Sequence, residues 1–375
     1  MKKISTAAIA TGFALCASVI TVKAGDPSRG GQAGATELLI NPWAVSSGWA
    51  GANSSCTQGL EAQFLNVAGT AFTPKTDIIL ASTDYLDGSD IHLSAFGITQ
   101  HVGASSKDNS AGGALSLSII SMNFGIIPVT TFDNPDGGIG TYNPQFINIG
   151  VSYARNFSDQ IHGGITAKLI SESISNVSAF GVGIDAGIQY VAGKQKQVHF
   201  GISLKNVGPQ MAYSGDGLAL ETALPNGTIT GNNAQMTVQQ RSQAYELPSL
   251  VNIGFGYDFY LKNDSSSHSQ HRITVAGNFT SNSFTADEEM LGVEYAYKSF
   301  FMARVGYDYQ DNVTQALSID PLLGGRTTAF TGPCAGITLQ APFGKSHSIF
   351  GVSYSYRATN PYNGCHTIGV RVTLK

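Results

Sequence analysis

The chain has 375 residues, a net charge of −4 and only 12% charged residues, which excludes a basic surface for nucleic acid. Glycine accounts for 44 positions. After the first two dozen residues no run approaches the roughly 18 consecutive apolar residues of a membrane helix, so a helical membrane protein is excluded as well.

Met1-Lys2-Lys3 is a short basic start, followed by an apolar run from Ile4 to about Val22 and the small-residue site Val22-Lys23-Ala24. This reads as a secretory signal peptide over 1–24, cleaved after Ala24. Cys16 lacks the leucine of a lipobox three residues upstream, which argues against a lipoprotein. From 25 to 75 no alternation is visible, yet the segment holds both tryptophans, Trp43 and Trp49, and the apolar cluster Leu38-Leu39-Ile40. Tryptophans and apolar clusters seldom sit in disordered tails. The segment therefore reads as a plug, with Leu39, Trp43, Trp49, Phe64 and Asn66 as its anchoring residues.

From 76 to 375 the pattern changes to period two. Val251, Ile253, Phe255, Tyr257 and Phe259 alternate with Asn252, Gly254, Gly256 and Asp258, which gives a strand one bulky apolar wall and one small or polar wall. The same pattern recurs around Phe180, Val198, Leu291, Phe301 and Ile368. A soluble sandwich fits any one such strand. Many of them, about 9 to 11 residues long, fit a transmembrane antiparallel β-barrel whose apolar wall meets lipid. About fourteen strands begin near residues 77, 90, 113, 145, 160, 177, 197, 247, 271, 289, 299, 333, 347 and 365. The long connections (130–143, 208–246 and 310–330) all have the same parity, as an even-stranded barrel with both ends in the periplasm requires.

Motifs for chemistry are absent. Gly181, Gly183 and Gly187 lie within a strand rather than between strand and helix, so they are not a nucleotide loop. His268 and His271 lack a third metal ligand, and Asp287, Glu288 and Glu289 lack the ligand spacing of a calcium loop. There is no nucleophile elbow. Neither catalysis nor a cofactor is expected. Asp185, Lys205, Asp258, Glu294, Arg304, Asp308, Arg357 and Arg371 fall on the polar wall with both signs present; they suit pairing inside a closed barrel better than solute selection. Cys56, Cys334 and Cys365 remain after cleavage, an odd number. Cys334 and Cys365 are expected two strands apart, roughly 9 to 10 Å, beyond the roughly 7 Å reach of a disulfide.

Several segments carry a resemblance. Gly34-Ala35-Thr36-Glu37-Leu38-Leu39-Ile40, Gly48-Trp49-Ala50-Gly51-Ala52, Asn66-Val67-Ala68-Gly69, Leu204-Lys205-Asn206-Val207-Gly208-Pro209, Leu291-Gly292-Val293-Glu294-Tyr295 and Arg304-Val305-Gly306-Tyr307 occur in that order. They are similar to segments of the PorV/PorQ family, outer-membrane barrels related to FadL, with Val67 standing where that family carries proline. The resemblance implies a FadL-like barrel with an N-terminal hatch. It also implies an accessory role in the type IX secretion system of Bacteroidota-like bacteria, binding the translocon, the C-terminal signal domains of cargo and other secretion or attachment subunits. Two other readings stay open: a FadL-like channel for hydrophobic small molecules, and a purely structural outer-membrane protein. The long loop over 208–246 is the candidate partner-binding element, through Met211, Tyr213, Leu218, Leu220, Leu224, Met236 and Tyr245.

Overall fold

Fourteen antiparallel strands close into one barrel in the computed structural model, which describes residues 25–103, 112–223, 235–261, 270–298, 300–316, 326, 328–344 and 348–374. The expected signal peptide lies outside these residues. The strands are β1 (Thr76–Tyr85), β2 (Ile91–Val102), β3 (Gly113–Asn123), β4 (Gln145–Asn156), β5 (Ile161–Ile174), β6 (Val177–Ala192) and β7 (Val198–Val207). They continue as β8 (Leu250–Leu261), β9 (His271–Asn282), β10 (Glu288–Tyr297), β11 (Phe301–Gln310), β12 (Phe330–Phe343), β13 (Ser348–Thr359) and β14 (Cys365–Leu374). Each pairs with its neighbours in sequence. The ring closes where β1 meets β14, with Thr76 opposite Leu374 and Asp84 opposite His366. Closure leaves no barrel edge unpaired, which is the condition for strands to cross a bilayer.

Alternation decides which wall faces lipid. On β6, Phe180, Val182, Ile184 and Ile188 are exposed outward while Asp185 and Gln189 are buried inward. A soluble protein would turn this arrangement inside out. The apolar side chains form an outer band, and the polar ones fill an interior, which rules out the sandwich. Phe255 is 54% exposed on this band. Arginine there is expected to cost about 2–4 kcal/mol if placed near the bilayer midplane. Folding of Phe255→Arg into liposomes, followed by gel shift against urea, checks this; an unchanged midpoint would put Phe255 off the lipid face.

Aromatic side chains gather at the strand ends, as interfacial belts do. Tyr257 and Phe259 have ring centroids 4.6 Å apart, and the His271 ring lies 5.2 Å from that of Tyr297. At the opposite end Tyr356 packs on His366 at 5.1 Å. The connections 124–144, 208–249 and 311–329 leave from that opposite end, so it is the outer face by the usual disposition of long loops. Two of these loops carry small ribbons, Ile127–Pro128 with Thr141–Tyr142 and Ala219–Ala223 with Gln235–Gln239.

The β6–β7 register shifts between Ile184 and Ala186. There Asn206 takes a left-handed conformation, at φ 59°, and its N–H donates to the Asp185 carboxylate at 2.8 Å. Asparagine is among the residues that tolerate this conformation. The cysteine geometry matches the two-strand separation: Cys334 lies opposite Arg357, Arg357 lies opposite Cys365, and both thiols are free.

Candidate functional site in the barrel lumen

Residues 34–75 lie inside the barrel. The chain enters at the outer mouth, where Gly34 N–H donates to the Glu246 carbonyl at 3.0 Å, and ends at the short-turn mouth beside β1. On the way it forms two short α-helices, Ala44–Gly48 and Ala62–Leu65, and a 3-10 turn over Val67–Phe72. Short helices suit a segment that must change direction within a narrow lumen and has no long apolar face to offer.

Three apolar clusters fix it. Leu38 packs with Ile170, Met211 and Leu247; Trp43 with Leu60, Ile79 and Ala81; Trp49 with Ala52 and Ala276. Polar side chains tie it to strands all around the ring. Asn66 donates to the carbonyls of Ile188 (3.1 Å) and Ile202 (3.4 Å), and its own carbonyl accepts from Ala68 N–H. Gln63 donates to the Gly150 carbonyl at 3.0 Å, and Ser54 to Asn278 at 2.6 Å. Glycines on the lumen wall make room. A Cβ at Gly187 would come 2.2 Å from Asn66 Oδ1, and one at Gly306 would come 2.5 Å from the Trp49 backbone. These strand glycines are therefore sites of close approach, not a ligand loop.

Of the residues expected to anchor the segment, Trp43, Trp49 and Asn66 are fully enclosed, while Leu39 and Phe64 are half-buried beside an outer cavity. The loop residues divide differently. Met211 is buried against Leu38, and the hydroxyls of Tyr213 and Tyr245 both donate to Glu172 on β5. Met211 is enclosed and offers no surface to a partner, whereas Tyr213 and Tyr245 turn their hydroxyls into the barrel mouth and keep part of each side chain exposed. Leu220 and Met236, on the loop ribbon, are exposed; Leu218 is half-buried; Leu224 lies outside the described residues. Glu172 gave no sequence signal beyond its parity on β5, shared with Thr166 and Lys168.

The wall charges are mostly neutralised in place. Lys168 reaches Asp185 at 2.6 Å, His199 reaches Asp258 at 3.0 Å, Arg357 reaches Asp308 at 2.6 Å and Arg371 reaches Asp77 at 2.6 Å. Glu294 takes both Arg304 (3.0 Å) and Arg272 (2.9 Å). Lys205 is the exception: its Nζ sits 3.8 Å from the centroid of the Phe64 ring, with no ion pair among the described residues. Glu288 opens β10 at its outer end and faces the lumen. His271 points outward, with Nδ1 2.8 Å from the Tyr295 hydroxyl, and His268 lies outside the described residues. No group of three or more metal-ligating side chains occurs among the described residues.

Among the described residues, two cavities of more than 200 Å³ are separated by residues 47–57. The outer one holds about 290 Å³ and is lined by Leu39, Lys205, Asn252, Asn278, Glu288 and Arg357 among others. The other opens toward the short-turn end, holds about 210 Å³ and is walled by Glu61, His199, Asp258, Glu294 and Arg304. Both have charged side chains set in walls that are about half apolar, so an apolar solute would have to pass beside charged groups on either side of the segment.

Glu37, on the inner segment, adds a pH dependence. Burial and the nearby Glu172 carboxylate raise its pKa from 4.5 to about 7, partly offset by a 3.5 Å hydrogen bond from Asn148. The ionised form is thus disfavoured in place. The docked segment should be most stable below about pH 4.5 with respect to this group, and lose that contribution as pH rises through 7. Protease protection of residues 25–75 should accordingly fall between about pH 4.5 and 7 and level off above that, and Glu37→Gln should flatten the profile. An identical profile in wild type and variant would remove Glu37 as its cause.

No family model and no curated protein matches the chain. Solved structures with a like architecture include the CymD monoaromatic hydrocarbon channel, at 11% identity and TM-score 0.49, covering 89% of this chain and 97% of that one. A Pseudomonas aeruginosa FadL homologue aligns at 13% identity and TM-score 0.48, covering 88% and 98%. A deltaS2 mutant of the TodX monoaromatic hydrocarbon channel aligns at 11% and 0.49, covering 89% and 97%. At these values the likeness is one of architecture.

Proposed function

We propose that the protein is a sealed outer-membrane barrel that works by docking other proteins at its outer face. The observation behind this reading is the combination of a lumen tied shut on all sides with outer loops that present apolar side chains to solvent. Phe132 is 100% and Ile126 75% exposed on the loop after β3, and Leu220 and Met236 project from the ribbon after β7. Such side chains on a loop surface fit a protein partner better than water. The resemblance of the sequence to the PorV/PorQ family gives the partners: the type IX translocon and the C-terminal signal domains of its cargo. That part of the reading rests on the segments at 34–40, 48–52, 66–69, 204–209, 291–295 and 304–307.

A second reading has its own support. The two cavities flanking residues 47–57 are what a gated passage would leave when shut, and two structures of like architecture are monoaromatic hydrocarbon channels, which suits a FadL-like route for small molecules. The charged side chains in both cavity walls speak against a hydrophobic solute in this conformation. One experiment separates the readings. Tagged wild type and a Phe132→Asp, Leu220→Asp, Met236→Asp variant are purified from the native outer membrane and also tested for hydrocarbon uptake in liposomes. Loss of co-purifying secretion subunits with an intact barrel supports docking. Uptake that persists in the variant, with no partner retained by wild type, replaces docking with the channel.

A further inference from the structure

Lys205 is 4% exposed near the outer end of β7, and its ammonium borders the outer cavity. A buried ammonium without a counter-charge is unfavourable, and the Phe64 face compensates only part of the lost hydration. The nearest acid on its own side is occupied, because Asp185 already holds Lys168 at 2.6 Å and accepts the Asn206 N–H. Across the same cavity Glu288 is in the converse position. Arg357, the nearest guanidinium, is committed to Asp308 at 2.6 Å, and no cation pairs with Glu288 among the described residues. The wall between them is neutral and ordered. Asn252 Oδ1 accepts from Thr280 Oγ1 at 2.7 Å and from Asn278 Nδ2 at 3.2 Å.

Lys205 and Glu288 stand on β7 and β10, three strand spacings apart, or about 14 Å between backbones before either side chain reaches inward. The space between is small, about 290 Å³, at the lower end for ligand pockets. One ammonium suits a monoanion. A phosphate would call for a guanidinium fork or a helix N-terminus, and the cavity offers neither uncommitted. We propose that the outer cavity binds a small zwitterion of the α-amino acid class, its carboxylate on Lys205, its ammonium on Glu288 and a neutral polar side chain against the Asn252–Asn278–Thr280 wall. The proposal goes beyond the docking reading and does not rest on it.

The test uses the purified barrel in detergent and L-glutamine as probe, by equilibrium binding of the labelled compound. Two analogues each lack one charge: glutaramic acid without the amine and 4-aminobutyramide without the carboxylate. Saturable glutamine binding is expected, with both analogues competing about tenfold or more weakly, and with Lys205→Met and Glu288→Gln each weakening it by a similar factor. The analogues probe the unmodified protein, so the result stands even if a variant misfolds. Absence of saturable binding overturns the site. Glutaramic acid competing as well as glutamine, with Glu288→Gln without effect, would leave a plain anion site and overturn the zwitterion. Secretion partners need not be present, so failure here leaves the docking reading untouched.

Discussion

Asp77→Ala is expected to destabilise the folded barrel by about 3 kcal/mol, the lower end for leaving a buried charge without its partner. Asp77 is enclosed on β1, where its Oδ1 accepts from Arg371 Nε and Thr373 Oγ1, each at 2.8 Å. Its Oδ2 accepts from Arg371 Nη2 at 2.6 Å and from Leu60 N–H at 3.0 Å. One carboxylate therefore binds the two strands that close the ring to each other and to the inner segment. The low end applies because the Arg371 side chain is 30% exposed and can recover some water. The temperature at which the compact gel band converts to the unfolded one should fall, and Asp77→Asn, which keeps the shape and one acceptor, should fall less. Equal conversion temperatures in all three proteins would mean that backbone pairing alone holds the seam.

The strands were legible because lipid outside and polar matter inside impose one period on every one of them. The starts expected near 113, 145, 177, 271 and 365 coincide with those of β3, β4, β6, β9 and β14. Where the interior is not polar, the rule blurs. Ile170 stands on the lumen side of β5 between Lys168 and Glu172, because Leu38 and Met211 pack against it. No local pattern announces partners that lie 41 and 132 positions away in the chain. The same limit hid the inward turn of Tyr213 and Tyr245, which follows from Glu172 needing donors at the barrel mouth. Lumen glycines were visible as a small wall, but their reason, the approach of Asn66 and Trp49, needs the fold. Charge pairing could be read from sign balance, yet not its exception: only the geometry separates Lys205, over a ring, from Lys168, on a carboxylate.

Glu294→Gln should produce the largest loss, about 3–5 kcal/mol, because it strands the Arg304 guanidinium, which makes no other ion pair among the described residues. The Arg304 side chain is 0% exposed; Nε donates to Glu294 at 3.0 Å and Nη2 to the Thr338 hydroxyl at 2.9 Å. Its aliphatic stem packs on the inner segment, since a Cβ at Gly48 would lie 3.1 Å from Arg304 Cδ. Movement of Arg304 is thus coupled to the helix Ala44–Gly48, which lies between the two cavities and β12–β14. Glu294→Met with Arg304→Met removes both charges and keeps apolar bulk, so the double variant should be more stable than Glu294→Gln alone. Planar-bilayer conductance reads the functional side of the same pair. If the ion pair helps to seal the lumen, Glu294→Gln should conduct more than wild type, and the double variant should return toward the closed level. Conductance that stays at wild-type level while the urea midpoint drops would show that the pair supports the wall without holding the segment in place.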